Sequence, residues 1–283
     1  MKKNPSPTAR VFLSLLSIVV LLFSQLAAQL LAEFSVSFGL PAPLGNLLAG
    51  ILYASIAAGG LWLLCHKLMA VSMSDCRITK PKISQFWAGA AFALPAIVCV
   101  ILILTPGQWE LSRMDAQAKW AVVSGAVFYI GLAVGLVEEM VFRGVIFSAL
   151  EHRFSKWTAI LVPSVAFGLL HIIGAGEMDF LSICQLAAAG SLVGVLFSLV
   201  TLETGSIWSA ALMHGIWNTV MIGGILNIGE EALDSSLLNY VLKDPPFWLS
   251  GGDFGIEASA VCVAAYLFFA VIAALRCRKK GEL

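Results

Sequence analysis

Glu138, Glu139 and Arg143 stand within Val137-Glu138-Glu139-Met140-Val141-Phe142-Arg143-Gly144, inside a run from Trp120 to Leu150 that is otherwise uncharged. A charged side chain at the centre of a membrane helix costs roughly 2.5 to 3.5 kcal/mol on insertion scales, so three together require partners or a wet cavity. On a helix, Glu139 and Arg143 lie four residues apart on one face, while Glu138 points about 100° away. One carboxylate can then be held by the cation while the other is free to act as a base. Taken alone, the same three residues also suit a structural ion pair between helices.

Two further stretches carry polar groups that a lipid-facing helix would not choose. In Phe167-Gly168-Leu169-Leu170-His171 the histidine alone would fit a satisfied core position. In His214-Gly215-Ile216-Trp217-Asn218 the His and Asn share one helix face. Gly168, Gly215, Ala210 and Ala211 would let these helices approach closely. Together, two carboxylates, one Arg, two His and one Asn form a hydrolytic set. A carboxylate beside a His can polarise a water, and a His and an Asn can donate to the oxyanion that forms when water attacks a peptide carbonyl. Every role is filled without a metal or other cofactor.

The elements that must position these groups follow from composition. The chain is 59% hydrophobic and 12% charged, with mean hydropathy +0.92 and no polar stretch long enough for a soluble domain. This predicts an all-α, polytopic membrane helix bundle in a single domain over residues 1–283, its motif-bearing core at about 119–228. Apolar runs predict about eight transmembrane helices: Val11 to Ala32, Leu44 to His66, Ile83 to Leu104, Lys119 to Leu150, Trp157 to Ile173, Phe180 to Leu202, Ser206 to Ile228 and Glu257 to Leu275. The first could instead be a signal peptide cut near Ala27 or Ala28; its length favours a retained helix.

With eight spans both termini share a side. Lys2, Lys3, Arg10, Lys67, Arg77, Lys80, Lys82, Arg153, Lys156, Arg276, Arg278, Lys279 and Lys280 all fall on it, against Arg113, Lys119 and Lys243 on the other. The positive-inside rule makes that side cytoplasmic, giving a multi-pass protein of the cell membrane. The long outer loop, about 229–255, is acidic. Its apolar stripe at Leu233, Leu237, Leu238, Val241 and Leu242 predicts a short helix on the membrane surface, ended by Pro245-Pro246 and anchored by Phe247, Trp248 and Phe254. Gly251-Gly252-Asp253-Phe254 superficially matches nucleotide-cyclase and kinase signatures, but the flanks could build neither fold. The six cysteines are scattered singly and read as core residues, although Cys277 beside the basic tail could carry an acyl chain.

EExxxR at Glu138 to Arg143, FxxxH at Phe167 to His171 and HxxxN at His214 to Asn218 resemble the three ordered motifs of the CPBP (CaaX protease/Abi) family of intramembrane glutamic endopeptidases, which includes the type II CaaX prenyl endopeptidases. The resemblance covers roughly Gly131 to Val220, and the contexts Phe142-Arg143-Gly144 and Thr204-Gly205-Ser206-Ile207-Trp208 are similar to the family as well. It implies an endopeptidase in which Glu138 and His171 activate the water, His214 and Asn218 form the oxyanion hole, and Glu139 and Arg143 support them. The expected partners are a membrane-associated protein or peptide substrate and the lipid bilayer, not nucleic acid, with a non-prenylated substrate anticipated.

Two other readings suit the same residues. Two His and a Glu are a familiar zinc set, although no HExxH occurs. A polar centre could also serve a membrane chaperone, scaffold or transporter, although no internal repeat is visible. Helix rise puts Glu138 and Asn218 each about 18 Å, and His214 about 12 Å, from the cytoplasmic ends of their spans. A water-filled cavity opening to the cytoplasm is the resulting expectation.

Overall fold

The computed structural model describes residues 4–174 and 176–283; Lys2 and Lys3 lie outside the described residues. The chain forms a bundle of α1 (Pro7–Ser37), α2 (Ala42–Met69), α3 (Gln85–Ile103), α4 (Ala116–Arg153), α5 (Lys156–Gly174) and α6 (Phe180–Thr204). Then come α7, which is Trp208–Trp217 continued as a π-helix over Asn218–Ile222, and α8 (Ala260–Lys279). All but α7 are long and apolar enough to cross a membrane, seven helices among the described residues. Helix α7 has 10 residues and its continuation 5, about 22 Å at 1.5 Å per residue, against a hydrocarbon core of about 30 Å. The expected eighth span to Ile228 is therefore cut short at Gly223-Gly224, where Gly224 turns the chain at φ +78° and Leu226–Gly229 begins a strand.

Local chemistry accounts for where these helices begin. Ser6, Asp115, Asp179 and Ser259 each accept from a backbone N–H in the first turn of α1, α4, α6 and α8, satisfying donors that have no intrahelical partner. Within α1, Ser14, Ser17 and Ser24 donate back to Val11, Ser14 and Val20 carbonyls, so their hydroxyls need no water. The lateral surface is the reverse of a soluble protein's: Phe12, Phe23, Phe92 and Leu132 are among many large apolar side chains left exposed, as lipid contact requires.

The two ends of the bundle differ. The end carrying both termini is tied by ion pairs: Arg77 with Glu151, Lys156 with Glu282, and Arg276 and Lys280 with Glu203, while Trp87 Nε1 donates to Glu203 at 2.7 Å. Cys277 is buried there, its thiol donating to the Leu199 carbonyl, so the packing leaves it no room for an acyl chain. The opposite end carries a three-stranded sheet of order β1-β3-β2. β1 (Gly107–Leu111) pairs antiparallel with β3 (Leu238–Leu242), and β2 (Leu226–Gly229) pairs parallel with it.

This sheet corrects the expected surface helix over the outer loop. Leu238 to Leu242 alternate within a ladder because β1, after α3, supplies a partner edge that no local pattern announces. Asn239 is buried, and its amide side chain contacts Asn227 and the Leu233 backbone, locking the loop between β2 and β3. The remaining helix is Phe247–Ser250, which follows Pro246 rather than ending at it. Phe247 and Trp248 are exposed as anchors would be, whereas Phe254 turns inward. Gly251 and Gly252 both hold positive φ, at +85° and +64°, so this stretch is a tight turn and not a signature for nucleotide chemistry.

Glycines set the approach of α4 to α7. A Cβ on Gly135 would stand 2.9 Å from the Gly215 nitrogen, and one on Gly215 would stand 3.0 Å from the Gly131 carbonyl oxygen. The helices therefore meet backbone to backbone. Gly135→Leu should lower the thermal midpoint of purified protein in detergent, since overpacking costs about 1 to 3 kcal/mol. Gly89→Leu, at a position with nothing within 4 Å of the added carbon, should leave the midpoint unchanged; equal effects would sink this account of the α4–α7 contact.

Candidate active site

Helix α4 is not a uniform α-helix. Gly125–Val134 and Met140–Ile146 are π-helical, and only Gly135–Glu139 between them is regular. Wider π-turns shift the register of side chains and are frequent at functional sites. Here they flank Glu138 and Glu139, and the glycine contact with α7 brings both carboxylates to His214.

Glu139 and Arg143 are fully buried and paired, with Arg143 NH1 donating to Glu139 Oε1 at 2.8 Å. Arg143 Nε and NH2 and Glu139 Oε2 have no hydrogen-bond partner among the described residues. The guanidinium instead lies over aromatic faces, 4.4 Å from the Phe167 centroid, 5.4 Å from Phe197 and 5.8 Å from Phe142. Cation–π attraction of this kind strengthens when water is excluded.

The same Glu139 Oε1 accepts from His214 Nδ1 at 3.0 Å. With Nδ1–H committed, His214 faces Glu138 through Nε2, which stands 3.6 Å from Glu138 Oε2, too far for a direct hydrogen bond. Phe197 stacks on the imidazole at 5.1 Å and 24°. His171, in the last turn of α5, donates from Nδ1 to the Phe167 carbonyl at 2.7 Å, which leaves its Nε2 as the acceptor. Asn218 Nδ2 donates to the Ile130 carbonyl at 3.1 Å, and its Oδ1 is buried with no partner among the described residues.

Glu138, His171, His214 and Asn218 all line one cavity of about 360 Å³. Glu139 and Arg143 lie behind its wall. All six residues singled out in the sequence are thus gathered at one place, although no hydrogen bond joins Glu138 to His171 among the described residues. Phe254, Glu257, Trp217 and Tyr266 also line this cavity, and the sequence pattern passed them over. The apolar run from Glu257 to Leu275 places Glu257 in the last span; in the structure it precedes α8 in a short 3-10 turn, Ile256–Ala258. Its carboxylate accepts from Trp217 Nε1 at 3.2 Å. Burial raises its pKa, opposed by the Trp217 hydrogen bond and by His171 and His214 nearby. A lone acidic residue at the head of an apolar run was the available signal.

The lining comes from one half of the bundle: Ile222 ends α7, Leu186 and Tyr266 lie in the second turns of α6 and α8, and Phe254 and Glu257 belong to the sheet end. The cavity therefore runs away from the ion-paired end that holds the termini. His214 lines the cavity with Phe197 stacked on it, and the Arg143 pair lies behind that wall.

The family described as type II CAAX prenyl endopeptidase Rce1-like matches residues 119–220, which run from the start of α4 into the end of α7 and contain all six site residues. Over this stretch the chain is similar to that family, which is a CPBP family. No curated protein and no solved structure matches the chain. The Rce1-like core and the seven apolar helices together support a multi-pass membrane protease acting on a protein or peptide.

Removing one member of the buried pair strands the other. Arg143→Met should destabilise the Rce1-like core by about 3 to 5 kcal/mol, whereas the double change Glu139→Gln with Arg143→Met should cost about half of that or less. Thermal or denaturant unfolding in detergent measures both; a double variant no more stable than Arg143→Met would show that the pair is not the unit of stability.

Proposed function

We propose that the chain is an intramembrane endopeptidase that hydrolyses a peptide bond of a membrane-associated protein or peptide by metal-independent attack of an activated water. The whole chain acts as one protease domain, with its core at 119–228 and both termini cytoplasmic. The observation that carries the reading is the division of labour between the two carboxylates. Glu139 is neutralised by Arg143 and spent on His214 Nδ1, while Glu138 is left facing the cavity with His171.

In this mechanism water sits between Glu138 and His171. Nε2 of His171 is the lone-pair nitrogen, because Nδ1–H is fixed on the Phe167 carbonyl. Glu138 and His171 together take the proton as the water oxygen attacks the scissile carbonyl. The resulting oxyanion is met by Asn218, whose second Nδ2 hydrogen is not used by Ile130, and by His214. Nδ1 of His214 donates to Glu139, so Nε2 is the ring nitrogen that faces Glu138 and the cavity where the oxyanion forms. Collapse of the tetrahedral intermediate breaks the C–N bond and returns the proton to the leaving amine.

The zinc reading is the specific rival, and ligand geometry supports the metal-free one: among the described residues no three of His, Cys, Asp and Glu come together to hold an ion. Glu138→Gln should reduce cleavage by about 10² to 10⁴ while the protein still folds and inserts. Wild-type cleavage by a well-expressed Glu138→Gln protein would remove Glu138 from the mechanism. Peptide cleavage by the wild-type protein should also persist after exhaustive chelation; inactivation reversed by added zinc would establish the rival.

A further inference from the structure

Two of the six cysteines meet. Cys65, in the π-helical end of α2 (Leu64–Met69), and Cys76, in the loop that joins α2 to α3, are both buried, with their Sγ atoms 3.8 Å apart. The chain between them is held in a shape that side chains disfavour: Ala70 and Arg77 both have positive φ, at +53° and +57°. Ser72 and Asp75 close it into a compact turn, Ser72 N donating to Asp75 Oδ2 at 2.8 Å and Asp75 N to Ser72 Oγ at 3.1 Å.

From Cys76 onward the same loop is a strap that ties α4 to α7. A Cβ on Gly144, the residue after Arg143, would stand 3.1 Å from the Cys76 carbonyl oxygen and 3.0 Å from Ile78 Cγ1, so the loop packs directly on α4. Ile207 N donates to the Arg77 carbonyl at 3.2 Å, Trp208 Nε1 to the Thr79 carbonyl at 2.7 Å, and Ser84 N accepts Ser209 Oγ as its partner at 3.1 Å. The strap thereby holds the first turn of α7, the helix that carries His214 and Asn218. Cys76 also lines a cavity of about 130 Å³ with Arg10, Ser148 and the exposed Asp75 and His152, large enough to admit a molecule as small as hydrogen peroxide. The contact with Cys65 and burial push the Cys76 thiol above its ordinary range, so its oxidation is slow and answers sustained rather than trace peroxide.

We propose that Cys65 and Cys76 are a reversible oxidation site, closed to a disulfide by hydrogen peroxide, and that closure lowers the activity of the cavity holding Glu138. The effect on activity rests on the endopeptidase reading above; the oxidation itself does not. The end that carries the termini is the cytoplasmic one in the proposed topology, where thiols rest reduced. One sulfur, as the thiolate, attacks the peroxide: S–O forms, O–O breaks and hydroxide leaves. The second sulfur then attacks the sulfenic sulfur: S–S forms, S–O breaks and hydroxide leaves again, the two thiol protons turning both hydroxides into water. A disulfide holds its sulfurs about 2.0 Å apart, so the pair must close by about 1.8 Å from its 3.8 Å separation, and the movement falls on the loop rather than on helical Cys65. A misplacement of about 1 Å passed to catalytic groups costs up to about 10² in rate.

The test treats the full-length protein in detergent with hydrogen peroxide, blocks the remaining thiols, and maps disulfides by mass spectrometry of a digest made without reductant. Peptide cleavage is measured on the same protein before oxidation, after it, and after dithiothreitol. A peptide pair joined through Cys65 and Cys76 is expected, with cleavage lowered about tenfold or more through kcat and restored by the dithiol. Cys65→Ala and Cys76→Ala, singly and together, should form no such link and keep their cleavage rate in peroxide; the wild-type map decides the site even where a variant folds poorly. Wild-type protein that stays reduced at these two sulfurs would overturn the site. A Cys65–Cys76 link with unchanged cleavage, a loss that dithiothreitol does not reverse, or an equal loss in the double variant would overturn the control of activity. Full linkage in a protein that cleaves no peptide even when reduced would keep the oxidation site and defeat the endopeptidase reading instead.

Discussion

The contact between Arg143 and Glu139 constrains the rest of the site because both groups are removed from water. A buried ion pair survives only with good geometry and further partners, since desolvation of each charge costs several kcal/mol. Here the direct bond is single, at 2.8 Å, and two guanidinium nitrogens lack hydrogen-bond partners among the described residues. The missing interactions are replaced by aromatic faces, which obliges Phe167 of α5 and Phe197 of α6 to pack on α4. The same packing sets the imidazoles: Phe167 supplies the carbonyl that orients His171, and Phe197 stacks on His214. One ion pair thereby fixes the placement of groups from three other helices.

Close helix approach is the second requirement, and it is met by absent side chains. Gly131 and Gly135 of α4 face Gly215 of α7, which lets an Oε1 already held by Arg143 reach His214 at 3.0 Å. Any Cβ at these positions would push α7 away and lengthen that bond. The π-helical turns on either side of Glu138 belong to the same device, because they let α4 bring two adjacent carboxylates to different duties.

The ends of the bundle carry different work. The terminal end is tied together by Glu203 with Arg276, Lys280 and Trp87. The other end is covered by a sheet whose loop returns Phe254 and Glu257 to the cavity wall. Short α7 makes this possible: by stopping at Ile222 it leaves room at that end for non-helical chain, part of which lines the cavity.

Much of this was legible in the residues themselves. Apolar run length determines helices, because a membrane permits little else, and the spans from α1 to α6 appear within a few residues of their expected bounds. The i to i+4 spacing of Glu139 and Arg143 determines their pairing, since helix geometry places them on one face. The three motifs, being local, identified the Rce1-like stretch. Tertiary structure alone decided what depends on distant partners. Leu238 to Leu242 form a strand because β1, more than a hundred residues earlier in the chain, offers an edge. Glu257 joins the site because the sheet end folds back over α7. Periodicity reports which face of an element is apolar; it carries no information about which element will cover that face.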